Sequence, residues 1–227
     1  MSTSHHPLLS SALAVPALLA LSTLAAAADA TSGLRLSYAT LPKEAETEMT
    51  IKNDLGKTIG SNTQTGDLES NWRVTASWIA VGATDPFGFG IGWGPYYGQV
   101  SAKNTLGTVT HRQIGLTVEP MVVWDPIPQL SVEASVSGSF AFAQGELLMQ
   151  STGGEVTTEK SKLGMAYDAT LHLRPVWHPT KNIDLFAEVT YTPVMQERFN
   201  YKPSGLEVVE VDSYNGAGFG VGGGVRF

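Results

Sequence analysis

Alternation of apolar and polar residues with a period of two is the feature that most constrains this chain. It recurs eight times after residue 30, and no segment there has a helical period. Successive side chains of a strand point to opposite faces, so each run predicts a strand with one apolar face. The apolar rows begin at Leu34, Trp72, Phe87, Ile114, Leu130, Met165, Ile183 and Phe219. The sequence therefore predicts an all-β fold of eight strands.

The connections between these strands alternate in length, which predicts an antiparallel up-and-down barrel. Three are short and carry turn-forming residues: ATDP, WDPIPQ and VWHPTKN. Four are long and polar, at 42–69, 101–110, 145–162 and 194–213. Short turns at one end and long loops at the other are typical of a transmembrane β-barrel. The segment EMTIKNDLGKTIG allows an extra hairpin, which would give ten strands, or a simple extension of the first two strands.

The N-terminal segment has the composition of a secretory signal peptide. Residues 8–30 form an apolar run that is interrupted by Pro16 and ends in small residues. We expect residues 1–28 to be the signal peptide, with cleavage after Ala28 or Ala30, and residues 31–227 to be the exported barrel domain. A membrane-spanning helix is the alternative, but the run is short and broken. The chain has no cysteine, so a disulfide framework is excluded.

The charged residues indicate that the apolar rows face outward, as in a membrane barrel, and not inward, as in a soluble ligand carrier. All eight lysines fall in loops, in turns or at their margins. The opposite face of the strands carries five acids, four arginines and one histidine. These predicted lumen residues are Arg35, Arg73, Glu119, Glu133, Asp168, His172, Arg174, Asp184, Glu188 and Arg226. An almost neutral set can pair within a closed lumen, where unpaired burial is costly.

Aromatic residues fall near both ends of the predicted strands, where amphipathic rings favour the membrane–water boundary. We therefore predict two aromatic girdles. Their members are Trp72, Phe87, Tyr96, Tyr97, Trp124, Trp177, Tyr191 and Tyr214. The small residues opposite the apolar rows of the third and eighth strands are glycines, at 88–94 and 216–224. These glycines would make room for larger lumen side chains, among them Phe186 and Met121.

The signal peptide, the eight alternating strands and the terminal sequence GVRF together resemble small bacterial outer-membrane proteins of the OmpA/OmpX type. In that superfamily the barrel-assembly machinery reads a terminal aromatic residue that is preceded by apolar residues at every second position. Phe219, Val221, Val225 and Phe227 match this pattern, and Gly223 departs from it. The resemblance implies a Gram-negative outer membrane as the location, with its lipid and lipopolysaccharide as neighbours. We expect a monomer.

Motifs for chemistry are sparse. Gly218, Gly220 and Gly223 match G-x-G-x-x-G, but no βαβ unit follows them, which argues against a nucleotide site. The net charge of −7 argues against nucleic acid as a partner. The histidines show no metal-ligand spacing, and His172 would lie about 13 Å from Asp168 along one strand. We predict no cofactor and no metal.

The sequence thus predicts an integral outer-membrane barrel with a charge-filled, non-conducting lumen. Its role would be in envelope structure or in surface interaction through the long extracellular loops, and not in catalysis. Three alternatives remain open: a small-solute channel, a soluble periplasmic ligand-binding barrel, and a lipid-A-modifying hydrolase. The hydrolase would depend on His111 together with a loop serine such as Ser101 or Ser161.

Overall fold

The computed structural model describes residues 31–42, 44–82, 86–104, 107–150, 156–201 and 206–227. The predicted signal peptide and its cleavage sites lie outside the described residues. Within these ranges the chain folds as strands and turns. Among the described residues there is no helix long and apolar enough to cross a membrane.

Ten strand segments form one antiparallel sheet. They are β1 (Thr31–Thr40), β2 (Glu44–Asn53), β3 (Thr58–Gly82), β4 (Phe87–Asn104), β5 (Gly107–Ile127), β6 (Leu130–Gln150), β7 (Val156–Lys160), β8 (Lys162–Thr180), β9 (Ile183–Tyr201) and β10 (Leu206–Arg226). β1 pairs with both β3 and β10, and β10 also pairs with β9. The sheet therefore closes on itself, although β7 pairs with β6 alone.

The ten segments make eight continuous barrel strands. β1 and β2 lie end to end along β10 in a single register, because Ala39 faces Gly220 and Ala45 faces Tyr214. β7 and β8 likewise lie end to end along β6, separated only by Ser161. The predicted eight-stranded antiparallel up-and-down barrel is confirmed. The segment EMTIKNDLGKTIG extends the first two barrel strands, which was the second of the two options.

The two ends of the barrel differ in their connections. At the short-turn end, the connections after β3, β5 and β8 are brief, as predicted, and both ends of the barrel domain lie there. At the other end, the prediction of long loops is wrong: most of 42–69, 101–110, 145–162 and 194–213 is strand. The first of these is the hairpin of β2 and β3, turned at Gly56 with a φ of 73°. Strand pairing satisfies the backbone N–H and C=O groups of these polar segments. The segments therefore extend the barrel as strands and do not form long loops.

The side chains are arranged inside out relative to a soluble protein. Phe140, Leu173 and Phe219 are 48%, 53% and 66% exposed on the outer surface. Glu133 and Asp184 are only 1% exposed in the interior. Large apolar residues usually occupy the core and carboxylates the surface, so the reversal indicates lipid outside and a polar lumen.

Along the barrel axis, the outward rows change from apolar to polar residues. On β5 the row passes from Leu116 and Ile114 to Arg112, whose side chain is 59% exposed. On β9 it passes from Val189 and Tyr191 to the polar residues beyond position 194. We call the part with apolar outward rows the membrane half, and the remainder, which ends in the four distal hairpins, the extension.

Strand irregularities cluster where the two halves meet, and we call this level the boundary belt. The first strand breaks at Leu41–Pro42, where the Asn71 side chain donates a hydrogen bond of 2.8 Å to the Pro42 carbonyl. Ser161 interrupts the β7–β8 strand. The register also shifts between Leu68 and Ser70 of β3 and between Tyr214 and Gly216 of β10. The last three shift the pairing of their strands by one residue, whereas the break at Leu41–Pro42 keeps the register with β10.

The glycine rows face the lumen, where they admit large side chains from other strands. A Cβ atom on Gly222 would collide with the Phe186 ring, and one on Gly220 with the Glu188 carboxylate. The G-x-G-x-x-G match therefore lies inside β10: Gly218 and Gly220 face the narrow lumen, and Gly223 lies on the outward row with Val221 and Val225.

Candidate functional site in the barrel lumen

The lumen of the membrane half is filled by arginine–carboxylate pairs. Arg35 on β1 donates two hydrogen bonds of 2.7 Å to the two oxygens of Glu133 on β6. Its second terminal nitrogen also lies 3.0 Å from Asp184 on β9. These bonds cross the barrel between strands that are not neighbours, and a fork-to-fork geometry is among the strongest ionic contacts in proteins.

Arg174 on β8 contacts Glu133 as well and links two further carboxylates, Glu119 and Glu188, to this network. One terminal nitrogen lies 3.0 Å from Glu119 and 3.2 Å from Glu133, and the other lies 2.7 Å from Glu188. The Arg35 and Arg174 guanidinium groups also lie 5.5 and 5.0 Å from the centre of the Phe186 ring. Charge and ring together fill the cross-section, which is the usual state of an eight-stranded lumen.

Histidines join the network at its margin. His172 Nδ1 lies 3.2 Å from Glu188, and His178 Nδ1 lies 2.8 Å from Asp184. Arg226 donates to the same Asp184 carboxylate, so the final strand is tied to the network. His172 therefore does not contact Asp168, in agreement with the separation predicted from the sequence. His178 was missed because the sequence pattern assigned VWHPTKN to a turn, whereas β8 continues through it to Thr180.

A second ionic layer closes the membrane half just below the boundary belt. Arg73 on β3 pairs with Asp168 on β8 at 2.5 Å, and Ser139 hydrogen-bonds to the same carboxylate at 3.1 Å. The Arg73 guanidinium also packs 4.0 Å from the centre of the Tyr96 ring. Each charge in this layer has a partner of opposite sign, as a buried charge requires.

The lumen of the extension has a different composition: three carboxylates surround one histidine. His111 Nδ1 on β5 lies 3.0 Å from Glu197 on β9 and 3.4 Å from Asp212 on β10. His111 Nε2 lies 3.9 Å from Glu210, also on β10. All four side chains are at most 4% exposed. We call these residues the histidine–acid cluster.

Within this cluster, Glu197 is well satisfied and Asp212 is not. Glu197 accepts hydrogen bonds from Gln113 and Tyr214 in addition to the His111 contact. Neither Asp212 oxygen has a hydrogen bond of normal geometry among the described residues, and neither does His111 Nε2. The cluster thus has an excess of negative charge and an unused ring nitrogen.

A cavity of about 320 Å³ adjoins these unsatisfied atoms. His111, Glu210 and Asp212 form one wall of it, and strands β2, β3 and β4 supply the rest. Thr65 and Gly66, which also line it, are exposed, so the cavity reaches solvent at the extended end.

The electrostatics of the cluster, which lies outside the membrane half, favour protons or another cation. Burial alone would lower the pKa of His111, but the surrounding carboxylates, above all Glu197, raise it to about 9. Burial and the neighbouring Glu210 raise the pKa of Asp212 to about 7. Burial also raises the pKa of Glu210. All three shifts express the same excess of buried negative charge.

The sequence-predicted lumen residues all lie on inward rows. Seven are buried, and Glu119, His172 and Arg226 are half-buried. The terminal-signal residues Phe219, Val221, Val225 and Phe227 all lie exposed on the outer surface.

The aromatic girdle needs correction at two positions. Tyr96 and Tyr214 are each 3% exposed and lie on inward rows, so their assignment to the girdle was wrong. Both alternate in phase with lumen glycines, Gly94 and Gly218, and this parity would have placed them correctly. The other six residues face outward: Trp72, Phe87, Tyr97, Trp124, Trp177 and Tyr191.

The arrangement predicted for a lipid-A hydrolase is not present among the described residues. His111 faces the lumen, and its partners among the described residues are carboxylates and the Phe199 ring, with no serine in contact. The Ser161 hydroxyl donates to the Lys162 carbonyl and accepts from the Gly145 amide. Ser101 lies on the outward row of β4, because the inward row there runs through Gly98 and Val100.

A closed eight-stranded antiparallel barrel with an apolar exterior and a charged interior is the architecture of the small outer-membrane barrels. No family model and no curated protein matches the chain. Among solved structures, it is similar to Ail, the attachment invasion locus protein of Yersinia pestis, at 15% identity and a TM-score of 0.36, covering 88% of this chain and 99% of Ail.

Two further solved structures show the same order of similarity. The outer membrane protein OprG of Pseudomonas aeruginosa is 12% identical with a TM-score of 0.49, covering 88% of this chain and 96% of OprG. Neisserial surface protein A is 13% identical with a TM-score of 0.34, covering 83% of this chain and 96% of that protein. At these identities the similarity concerns the fold and assigns no activity.

Proposed function

We propose that the protein is an integral outer-membrane barrel with a sealed lumen, which acts in envelope structure or surface interaction through its extension. The observation that carries this proposal is the network around Arg35 and Arg174, which joins five strands across the lumen of the membrane half. A solute would have to separate paired buried charges to pass, at a cost of several kcal/mol.

The surroundings follow from the outer surface. Lipid and lipopolysaccharide contact the apolar band, and the barrel-assembly machinery recognises the strand that ends at Phe227. The barrel works as a monomer, because its sheet closes on itself in the membrane half, where each described strand has a neighbour on both sides. The extension projects from the membrane as paired strands and presents polar surface to partners outside the cell.

Planar bilayer recordings test the sealed lumen. The refolded protein should give no reproducible single-channel steps. An Arg174→Ser/Glu188→Ser double variant removes one cation and one anion from the plug, keeps its net charge, and should give measurable conductance. Steps in the unaltered protein that match those of the variant would favour a small-solute channel instead.

Cell fractionation tests the location and the role of the terminus. The protein should be recovered with the outer membrane, whereas deletion of Phe227 should reduce the amount of folded barrel there, read by heat-modifiable migration in gels. Recovery in the periplasmic fraction would favour a soluble carrier. A change in lipid A mass that depends on His111 would favour the hydrolase.

A further inference from the structure

The histidine–acid cluster is a group of buried ionisable side chains that the proposed function does not use. The membrane-half charges pair with one another, whereas Glu210 and Asp212 share a single histidine with Glu197. Such a group is costly without a counter-ion, because removing charges from water is repaid only by close partners.

The geometry points to a binding site for one divalent transition-metal ion, of which Zn²⁺ is the representative, held by His111, Glu210 and Asp212 above the sealed part of the lumen. One ligand atom from each of these residues lies within 4.8 Å of those of the other two. Ligands around a tetrahedral zinc ion are separated by roughly 3.4 Å, given metal–ligand distances of about 2.0–2.2 Å. The 3.9 Å between His111 Nε2 and Glu210 therefore needs only a small closure.

An independent observation is the state of His111 itself. Its ring is buried, Nδ1 contacts Glu197, and Nε2 has no hydrogen-bond partner. In metal sites a ligating histidine usually donates its other ring N–H to a carboxylate, which fixes the ring and makes the free nitrogen more basic. Glu197 occupies that position, and Gln113 and Tyr214 hold it there.

The ligand set defines the chemical class of the ion. An imidazole with two carboxylates suits zinc and its neighbours, whereas Mg²⁺ and Ca²⁺ prefer oxygen alone. The cavity beside the cluster supplies a route from the extended end and room for water molecules that complete the coordination. Binding transfers the Nε2 proton of the imidazolium to solvent, and the metal replaces it.

Isothermal titration of the refolded chain, without a polyhistidine tag, tests this inference. ZnCl₂ should bind with saturation at one ion per chain, and MgCl₂ should bind at least tenfold more weakly. Asp212→Asn and Glu210→Gln should each weaken Zn²⁺ binding at least tenfold, and the double variant should abolish it. Glu207→Gln is the matched control on the same strand and should leave the affinity unchanged.

The folded state of each variant is checked by heat-modifiable migration, so a loss of binding is not confused with a loss of folding. The unfolding midpoint of the unaltered protein should rise with ZnCl₂ concentration, and that of the double variant should not. Saturable binding that survives in the double variant would belong to other donors, such as His5 and His6, and would overturn the inference. No saturable binding to the unaltered protein would overturn it as well.

Discussion

The membrane half and the extension share eight strands, yet the buried charges in their interiors are paired differently. In the membrane half, arginines from β1, β3, β8 and β10 meet carboxylates from β5, β6, β8 and β9, and each charge has a close partner. In the extension, three carboxylates meet one histidine beside an open cavity. The charges of the first interior are balanced in the folded chain. The second interior has an excess of negative charge and a cavity that can accommodate a ligand.

The difference follows from what surrounds each half. Lipid around the membrane half supplies neither water nor counter-ions, so its interior charges must balance among themselves. The extension stands beyond the apolar band, where water reaches the cavity and can screen or exchange charge. An imbalance is tolerated there, and buried imbalance of this kind is a frequent mark of binding sites.

The largest expected effect is in the membrane half. Arg174→Gln should destabilise the barrel by about 3–5 kcal/mol, because Glu119, Glu133 and Glu188 lose a shared cation. Urea unfolding in detergent, followed by tryptophan fluorescence, measures the loss. The matched control in the extension is Arg112→Gln, whose exposed side chain lies 3.9 Å from Glu146; it should change stability by less than about 1 kcal/mol. Equal effects would show that the two halves do not differ in this way.

A smaller effect should follow from filling the narrow part of the lumen. Gly222→Ala should cost about 1–3 kcal/mol, because the added methyl group meets the Phe186 ring. Gly60→Ala in the extension has no heavy atom within 4 Å of its new Cβ and should be neutral or slightly stabilising. The same urea titration distinguishes them. A cost at Gly60 as large as at Gly222 would contradict the packing described here.

The smallest expected effect has the opposite sign. Without added metal, Asp212→Asn should stabilise the barrel by about 1 kcal/mol, because it removes one of three neighbouring negative charges. Asp184→Asn is the counterpart in the membrane half and should destabilise, because Arg35 and Arg226 lose their shared partner. Destabilisation by both substitutions would mean that the buried charges of the extension are balanced as closely as those of the membrane half.

Much of the membrane half could be predicted from the sequence because lipid enforces a strict contrast between the two faces of each strand. Leu171 and Leu173 had to face out, so Arg174 had to face in. The interior arginines and carboxylates follow from that parity alone. Their individual pairings could not be predicted, because partners such as Arg35 and Glu133 are 98 residues apart.

The histidine–acid cluster was missed for two physical reasons. Outward residues of the extension are themselves polar, so apolar and polar residues no longer alternate in the part of the chain that holds the cluster. On β9, moreover, Pro193 and Val194 are both exposed, and the inward row shifts from even to odd positions. That shift turns Glu197 inward, although the row of Asp184 and Glu188 would place it outside. On β10 the glycine row, continued back from Gly218, does lead to Asp212 and Glu210.

The boundary belt divides the molecule into two parts, the membrane half and the extension, that can evolve at different rates. Register is reset there in several strands, at Leu68–Ser70, Ser161 and Tyr214–Gly216. A hairpin above the belt can lengthen, shorten or be exchanged without turning any side chain below it from the lumen toward lipid. The extension can therefore vary with its binding partners, whereas the membrane half is constrained by the bilayer.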